Sequence, residues 1–369
     1  MKRLLFVLLS IIYLSVSSVA QEPALEQKIA QMLMVGFRGT TATAQSDVAN
    51  WLNKYQIGGV ILFDYDSPTK KYKRNIESIS QLQKLVADLK RLSKTPLFVA
   101  IDEEGGQVSR LKTNYGFKPT VTQKYLGTLD NEDSTRFYAH RIAAACKQVG
   151  INVNFAPLVD VDVNPNCPII GKKQRSYSAD NEVVIRNSKW FVNEHQKQGV
   201  LCVVKHFPGH GVTNTDSHES TPVVEKSLDA LRRYELVPFA EALKSADGVM
   251  VAHILYPNID EDRIASQSSV FITELLREEF GFSGIVMSDD FRMAGLRKQT
   301  TLKKAAVQFI LAGGDLILCG ANHTYQKQIL EGLYAAAEDG TISEQRLNES
   351  VLRILSAKIR VTGWDPLIG

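Results

Sequence analysis

Short apolar runs recur along the 369-residue chain, each bounded by glycine, proline or a polar residue. In order they are MLMVGF (32–37), GGVILF (58–63), PLFVAID (96–102), INVNFAPLVD (151–160), LCVVKHF (201–207), GVMVAHI (248–254), GIVMSDD (284–290) and DLILCG (315–320). They are rich in β-branched residues and nearly continuous in apolar character, as parallel strands covered on both faces should be. Between them lie segments with helical periodicity, such as SISQLQKLVADLKRL, DSTRFYAHRIAAACKQVG and SSVFITELLREEFGF. Two more helical patterns, ILEGLYAAAEDG and SEQRLNESVLRILSAKIRV, follow the last run. Alternation of β and α elements predicts an α/β fold with a parallel sheet. Eight runs predict a closed (β/α)₈ barrel, with a doubly wound open sheet as the alternative. No Pro/Ser-rich linker, charge block or low-complexity tract divides residues 21–369, which read as one domain.

Polar residues gather where the apolar runs end. Asp102 and Glu103 follow LFVAI, Asp160 and Asp162 follow FAPLV, and Lys205 and His206 follow LCVV. His253 follows VMVA, and Asp289 and Asp290 follow GIVMS. In a barrel these positions form the rim at the carboxyl ends of the strands, where active sites sit. His253 is thus a candidate pocket-lining residue.

The first twenty residues belong to a different pattern. Lys2 and Arg3 precede the run LLFVLLSIIYL, and Ser18-Val19-Ala20 offers small residues before Gln21. That layout predicts a secretory signal peptide over 1–20, and the run is short for a membrane span. Without Lys2 and Arg3, 41 basic residues face 40 acidic ones. Such a balance gives no electrostatic reason to expect nucleic acid or an anionic membrane as partner. Four cysteines, Cys146, Cys167, Cys202 and Cys319, lack CxxC spacing, and spacing names no disulfide pair. Cys202 and Cys319 lie inside strand-like runs, where cysteine acts as a small hydrophobe.

The densest chemistry lies in KHFPGHGVTNTDSHESTP (205–222), with three histidines on a segment whose prolines and glycines forbid a regular helix. His206 and His210 stand four apart, but Pro208 and Gly209 prevent the helical face that a metal pair would need, and no HExxH appears. Asp216-Ser217-His218 suits proton transfer better. In an extended segment residues two apart project to one side, so Asp216 can hold one imidazole nitrogen of His218 while the other faces a reacting group. An imidazole both gives and takes a proton near neutrality.

Four ordered motifs carry a resemblance: IDEEGGQVSRL (101–111), NPNCPIIGKKQRSYS (164–178), KHFPGHGVTNTDSH (205–218) and GFSGIVMSDDFRM (281–293). From about residue 25 to 360 the chain resembles the barrel domain of the β-N-acetylglucosaminidases of glycoside hydrolase family 3. The resemblance implies that Asp289 is the nucleophile of a retaining double displacement. It implies that His218, oriented by Asp216, is the general acid/base, on a loop able to reach in when substrate binds. It also implies that Asp102, Arg110, Arg175, Lys205 and His206 line the subsite for a terminal GlcNAc. Gly105 and Gly106 are expected to turn the backbone tightly beside the ligand, and His210 to pack the loop. Asp290 competes with Asp289, but the motif puts the nucleophile directly after Ser288. Val212 stands where the family usually has an aspartate, and Lys172, Lys173 and Gln174 separate Gly171 from Arg175 where relatives typically have one residue.

The expectation is an exported β-N-acetylglucosaminidase, periplasmic or secreted, that takes a carbohydrate substrate from peptidoglycan or chitin fragments and needs no metal or organic cofactor. The rivals are a phosphorylase, a β-glucosidase or β-xylosidase, a metal-dependent hydrolase using His206, His210 and Asp289, and a non-catalytic sugar-binding barrel.

Overall fold

The computed structural model describes residues 24–320 and 322–364; the expected signal peptide lies outside them. All eight apolar runs form strands: β1 (Leu33–Gly36), β2 (Gly59–Leu62), β3 (Phe98–Ile101), β4 (Val153–Asn154), β5 (Leu201–Phe207), β6 (Gly248–Val251), β7 (Ile285–Ser288) and β8 (Ile317–Cys319). Neighbours pair in parallel in the order β8-β1-β2-β3-β4-β5-β6-β7. A Met287–Leu316 bridge joins β7 to β8 and closes the ring. The open sheet is thereby excluded, and the fold is a (β/α)₈ barrel. Every residue of every barrel strand is buried, which explains why the runs are continuous rather than alternating.

Helices cover the outside with the faces their periodicity demands. Ile79–Leu92 buries Leu82, Leu85, Val86 and Leu89, the i, i+3, i+4, i+7 spacing of one helical stripe. Its Ser78 cap accepts a hydrogen bond from Gln81 N at 3.2 Å. Glu132–Gln148 starts one residue before the expected Asp133, because Asn131 caps it by accepting from Ser134 N at 2.9 Å. Among the described residues no helix is long and apolar enough to cross a membrane.

Two ends of the barrel divide the labour. At the amino-terminal end the final helix, Glu344–Thr362, closes the opening. There Lys358 lies over the Phe98 ring at 5.2 Å and donates to Gln31 Oε1 at 2.6 Å. Asp315, just before β8, accepts from Ser350, Arg353 and Val286 N. These are structural ties. At the carboxyl-terminal end β4 is shorter than its run suggested, because Pro157 has no N–H to give a ladder. Instead the Gln123 side chain serves the backbone of Leu158, accepting from its N–H and donating to its carbonyl, both at 3.0 Å. The remainder of that run, through Asp160, is thereby free to line the rim. All four cysteines are buried, and Cys146, Cys167 and Cys202 carry free thiols.

Candidate active site

The carboxyl ends of the strands enclose a cavity of about 320 Å³. Phe63 comes from the end of β2, Asp102, Glu104 and Arg110 from the loop after β3, and Lys205 and His206 from β5 itself. Arg175 reaches it from the long connection after β4, and Ser217 and His218 from that after β5. Asp289, Asp290 and Arg292 follow β7.

One wall is a buried charge network. Lys205 Nζ lies 2.7 Å from Asp102 Oδ1 and 2.6 Å from Glu104 Oε1. Arg175 donates two hydrogen bonds to the two Glu104 oxygens, at 2.9 and 2.7 Å, and a third to the Ile169 carbonyl at 2.8 Å. Burial alone would raise the Glu104 carboxyl, but Arg175 and Lys205 outweigh it and bring it to about 2. Asp102 is likewise held below the usual carboxylate range, burial being overcome by Lys205 and Arg110. His206 donates from Nδ1 to Asp160 Oδ2 at 2.7 Å. That leaves Nε2 toward the cavity, 3.5 Å from Arg175 Nη2. These side chains are pre-ordered as fixed donors and acceptors.

Opposite them the two acidic residues after β7 differ sharply. Asp290 accepts from Arg292 N at 3.0 Å and Gly320 N at 3.1 Å, and pairs with Arg292 Nε at 2.8 Å. Both its oxygens are committed. Among the described residues Asp289 accepts one hydrogen bond, from Asp290 N at 2.7 Å, leaving its other oxygen to the cavity it lines. Burial pushes its carboxyl up, but the imidazoles of His206, His253 and His218 outweigh this and hold it ionised below its ordinary value.

The loop after β5 brings an imidazole to the cavity. Asp216 Oδ1 accepts from both His218 N, at 2.8 Å, and His218 Nδ1, at 2.7 Å. This is an Asx turn rather than the extended spacing expected from sequence, yet it reaches the same end: Nδ1 is held and Nε2 is left for the cavity. The hydrogen bond to Asp216 raises the imidazole above its usual value and drops the Asp216 carboxyl to about 2. Ser217 between them is buried and latched on two sides. Its hydroxyl donates to His210 Nε2 at 3.0 Å, and its carbonyl accepts from Gly295 N at 3.0 Å. His210 is neutral, since burial lowers it to about 4, and its Nδ1 donates to Thr213 Oγ1 at 2.7 Å. His210 therefore packs the loop, as expected. The loop stands with His218 already lining the cavity and is tied to Gly295, six residues after Asp289.

A match to the model of the glycosyl hydrolase family 3 N terminal domain covers residues 24–357. The chain belongs to glycosyl hydrolase family 3. A beta-hexosaminidase of Idiomarina loihiensis is 32% identical over 87% of this chain and 92% of its own length. Beta-hexosaminidase A of Pseudoalteromonas piscicida is 31% identical over 94% of this chain and 63% of its own. Among solved structures, a glycoside hydrolase family 3 beta-N-acetylglucosaminidase from Paenibacillus sp. superposes with a TM-score of 0.86 at 38% identity. It is matched over 92% of this chain, which spans 63% of that longer protein.

Within this family 3 barrel the structure brings Asp102, Arg110, Arg175, Lys205, His206, His218 and Asp289 to one cavity, with Asp216 directly behind His218. His253 does not line it. Its ring is fully buried and Nδ1 meets Ser266 Oγ at 2.7 Å. The altered spacing before Arg175 does not displace its side chain from the cavity. Gly105 and Gly106 have φ of 96° and 58°, and a Cβ at Gly106 would meet Thr122 at 2.4 Å. Sequence reasoning missed Glu104, which organises Lys205 and Arg175. Its signal was present in the run DEE after β3, where only the first two acids were weighed. Glu103, the middle one, points instead to the helical layer. Among the described residues no cluster of His, Cys, Asp and Glu has the geometry of a metal site.

Proposed function

We propose that the protein is an exo-acting, retaining β-N-acetylglucosaminidase that removes terminal non-reducing GlcNAc from peptidoglycan- or chitin-derived fragments. One observation carries the reading: the open Asp289 carboxylate and the Asp216-held imidazole of His218 line the same small cavity. Asp289 attacks the anomeric carbon as the glycosidic C–O bond breaks, and His218 Nε2–H gives its proton to the leaving oxygen. Water then adds to the glycosyl-enzyme, returning its proton to Nε2 and releasing Asp289. Asp102, Arg110, Arg175, Lys205 and His206 contact the sugar hydroxyls, and a wrong epimer leaves buried donors unpaired. The beta-hexosaminidase relatives support the choice of sugar, and the N-terminal pattern supports export to the periplasm or beyond.

The test is turnover of an aryl β-GlcNAc by purified protein, with and without phosphate. Free GlcNAc released first as the β-anomer, at a rate indifferent to a chelator, is the expected result. GlcNAc-1-phosphate as the main product would make the enzyme a phosphorylase, and preference for aryl glucoside would move it to another branch of the family. N-terminal sequencing of exported protein starting at Gln21 checks the export step.

A further inference from the structure

Arg110 is held less tightly than its neighbours in the cavity wall. Lys205, Arg175 and Arg292 each have a carboxylate oxygen at 2.6 to 2.8 Å. The two carboxylates facing Arg110 stand farther off: Asp102 Oδ2 is 3.9 Å from its Nη2, and Asp64 Oδ1 is 4.0 Å from its Nε. Arg110 Nε and Asp64 Oδ1 are both buried, and neither has a hydrogen-bond partner among the described residues. A buried donor and a buried acceptor left unpaired each cost free energy, and here the two face one another. Both are carried on fixed backbone. Glu103 accepts from Arg110 N at 2.7 Å. Asp64 lies between β2 and a two-strand hairpin, Tyr65–Asp66 against Lys71–Tyr72, and its carbonyl accepts from Arg74 N at 3.1 Å. The preceding Phe63 is tied twice to Asn75, its carbonyl accepting from the Asn75 N–H at 2.9 Å and its own N–H donating to Asn75 Oδ1 at 3.0 Å. The second oxygen of Asp64, Oδ2, has Lys112 Nζ at 2.6 Å. The Asp64 side chain is 1% exposed and that of Lys112 36%, so the lysine shares its charge with solvent and the carboxylate does not.

We propose that Asp64 is a positioning residue for Arg110: it takes the Nε edge of the guanidinium and so turns the Nη groups toward the terminal sugar. The proposal rests on the reading above, in which Arg110 contacts that sugar. A guanidinium is a planar fork of five donors, so a carboxylate on one edge sets the direction of the others. Closing the gap by about 1 Å makes a charge-assisted hydrogen bond and satisfies both buried atoms at once. Arg110 is otherwise a long side chain with freedom to lose on binding, and a partner already beside it lowers that cost. Asp102 is less suited to the task, because its Oδ1 already serves Lys205 at 2.7 Å. Lys112 holds the far oxygen of Asp64, which leaves Oδ1 to face Arg110. Glu103 and Asp64 thus divide the work, one fixing the backbone of Arg110 and the other its guanidinium.

The test is a double-mutant cycle on hydrolysis of an aryl β-GlcNAc, with Asp64→Asn made in the wild type and in Arg110→Met. In the wild type Asp64→Asn should raise KM roughly three- to tenfold and change kcat far less, because it loosens sugar binding rather than the chemical step. In Arg110→Met, whose own KM should already be raised, the same substitution should leave KM where it is. A KM unaltered by Asp64→Asn in the wild type overturns the proposal. An equal rise in both backgrounds also overturns it, since general damage to the site would give that result. Should melting curves show that Asp64→Asn does not fold, Asp64→Glu takes its place: it keeps the charge beside Lys112 but displaces the carboxylate by one methylene, and the same dependence on Arg110 is expected. A wild-type KM in Arg110→Met would remove Arg110 from the sugar and Asp64 from its role. Failure of the wild type to cleave the aryl β-GlcNAc would instead refute the activity itself.

Discussion

Asp289 and His218 line one cavity, and each charge stabilises the other. The proposed mechanism needs an ionised Asp289 and a protonated His218 in the same resting enzyme, and their mutual attraction shifts each group toward that state. Asp216 is the residue that makes this possible, because its hydrogen bond favours the imidazolium. Removing it should lower the His218 pKa, so Asp216→Asn should move the alkaline limb of kcat/KM to lower pH. A pH profile on a substrate with a poor leaving group reads this directly. His218→Ala should slow such a substrate by two to four orders of magnitude, in line with the roughly 10²–10⁴-fold worth of proton transfer. An activated aryl GlcNAc should suffer far less. Equal loss on both would remove His218 from the role.

The loop after β3 shows what neighbouring residues of one motif do separately. Asp102 and Glu104 face the cavity, while Glu103 turns back and accepts from Arg110 N at 2.7 Å and Leu111 N at 2.8 Å. It thus fixes the backbone that carries Arg110. Burial pushes the Glu103 carboxyl up to about 7. The folded state therefore holds this proton more tightly than the unfolded chain, and stability falls as pH rises from about 4.5 to about 7. Glu103→Gln keeps an acceptor for both N–H groups and removes the cost of ionisation. The variant should gain melting temperature over wild type at pH 8 and little or nothing at pH 5, measured by thermal scans in matched buffers. A gain that is the same at both values would contradict the assignment. The division follows the two-residue alternation of an extended chain, Asp102 and Glu104 to one side and Glu103 to the other, a signal that weighing the third acid of the run would have caught. The DSH element was readable for its chemistry, whereas its Asx turn depends on a local hydrogen bond that spacing does not encode.

The barrel was legible because its strands are buried on both faces, so apolar runs announce them, and because ionisable residues collect at the same end of five of them. Closure was less legible: the same runs suit an open sheet, and only the pairing of β8 with β1 and β7 decides. The opposite end of the barrel was not read at all, since its polar residues lie before the strands or in the last helix. Lys358 is the clearest case. It is fully buried, and burial pushes its ammonium down to about 7. The unfolded chain binds this proton more tightly, so stability rises as pH climbs from about 7 toward 10.5. Lys358→Met should raise the melting temperature more at pH 6 than at pH 10, with aryl β-GlcNAc kinetics unchanged because the residue sits at the end remote from the cavity. The account's central claim is that one carboxylate, Asp289, bonds the sugar while the adjacent Asp290 stays bound to Arg292 and Gly320. Rapid acid quench during turnover of a slowly deglycosylated, activated β-GlcNAc analogue, followed by peptide mass mapping, tests it most directly. A single GlcNAc adduct on Asp289 is the result expected; an adduct on Asp290 or Glu104, or a burst of product with no adduct, would contradict it.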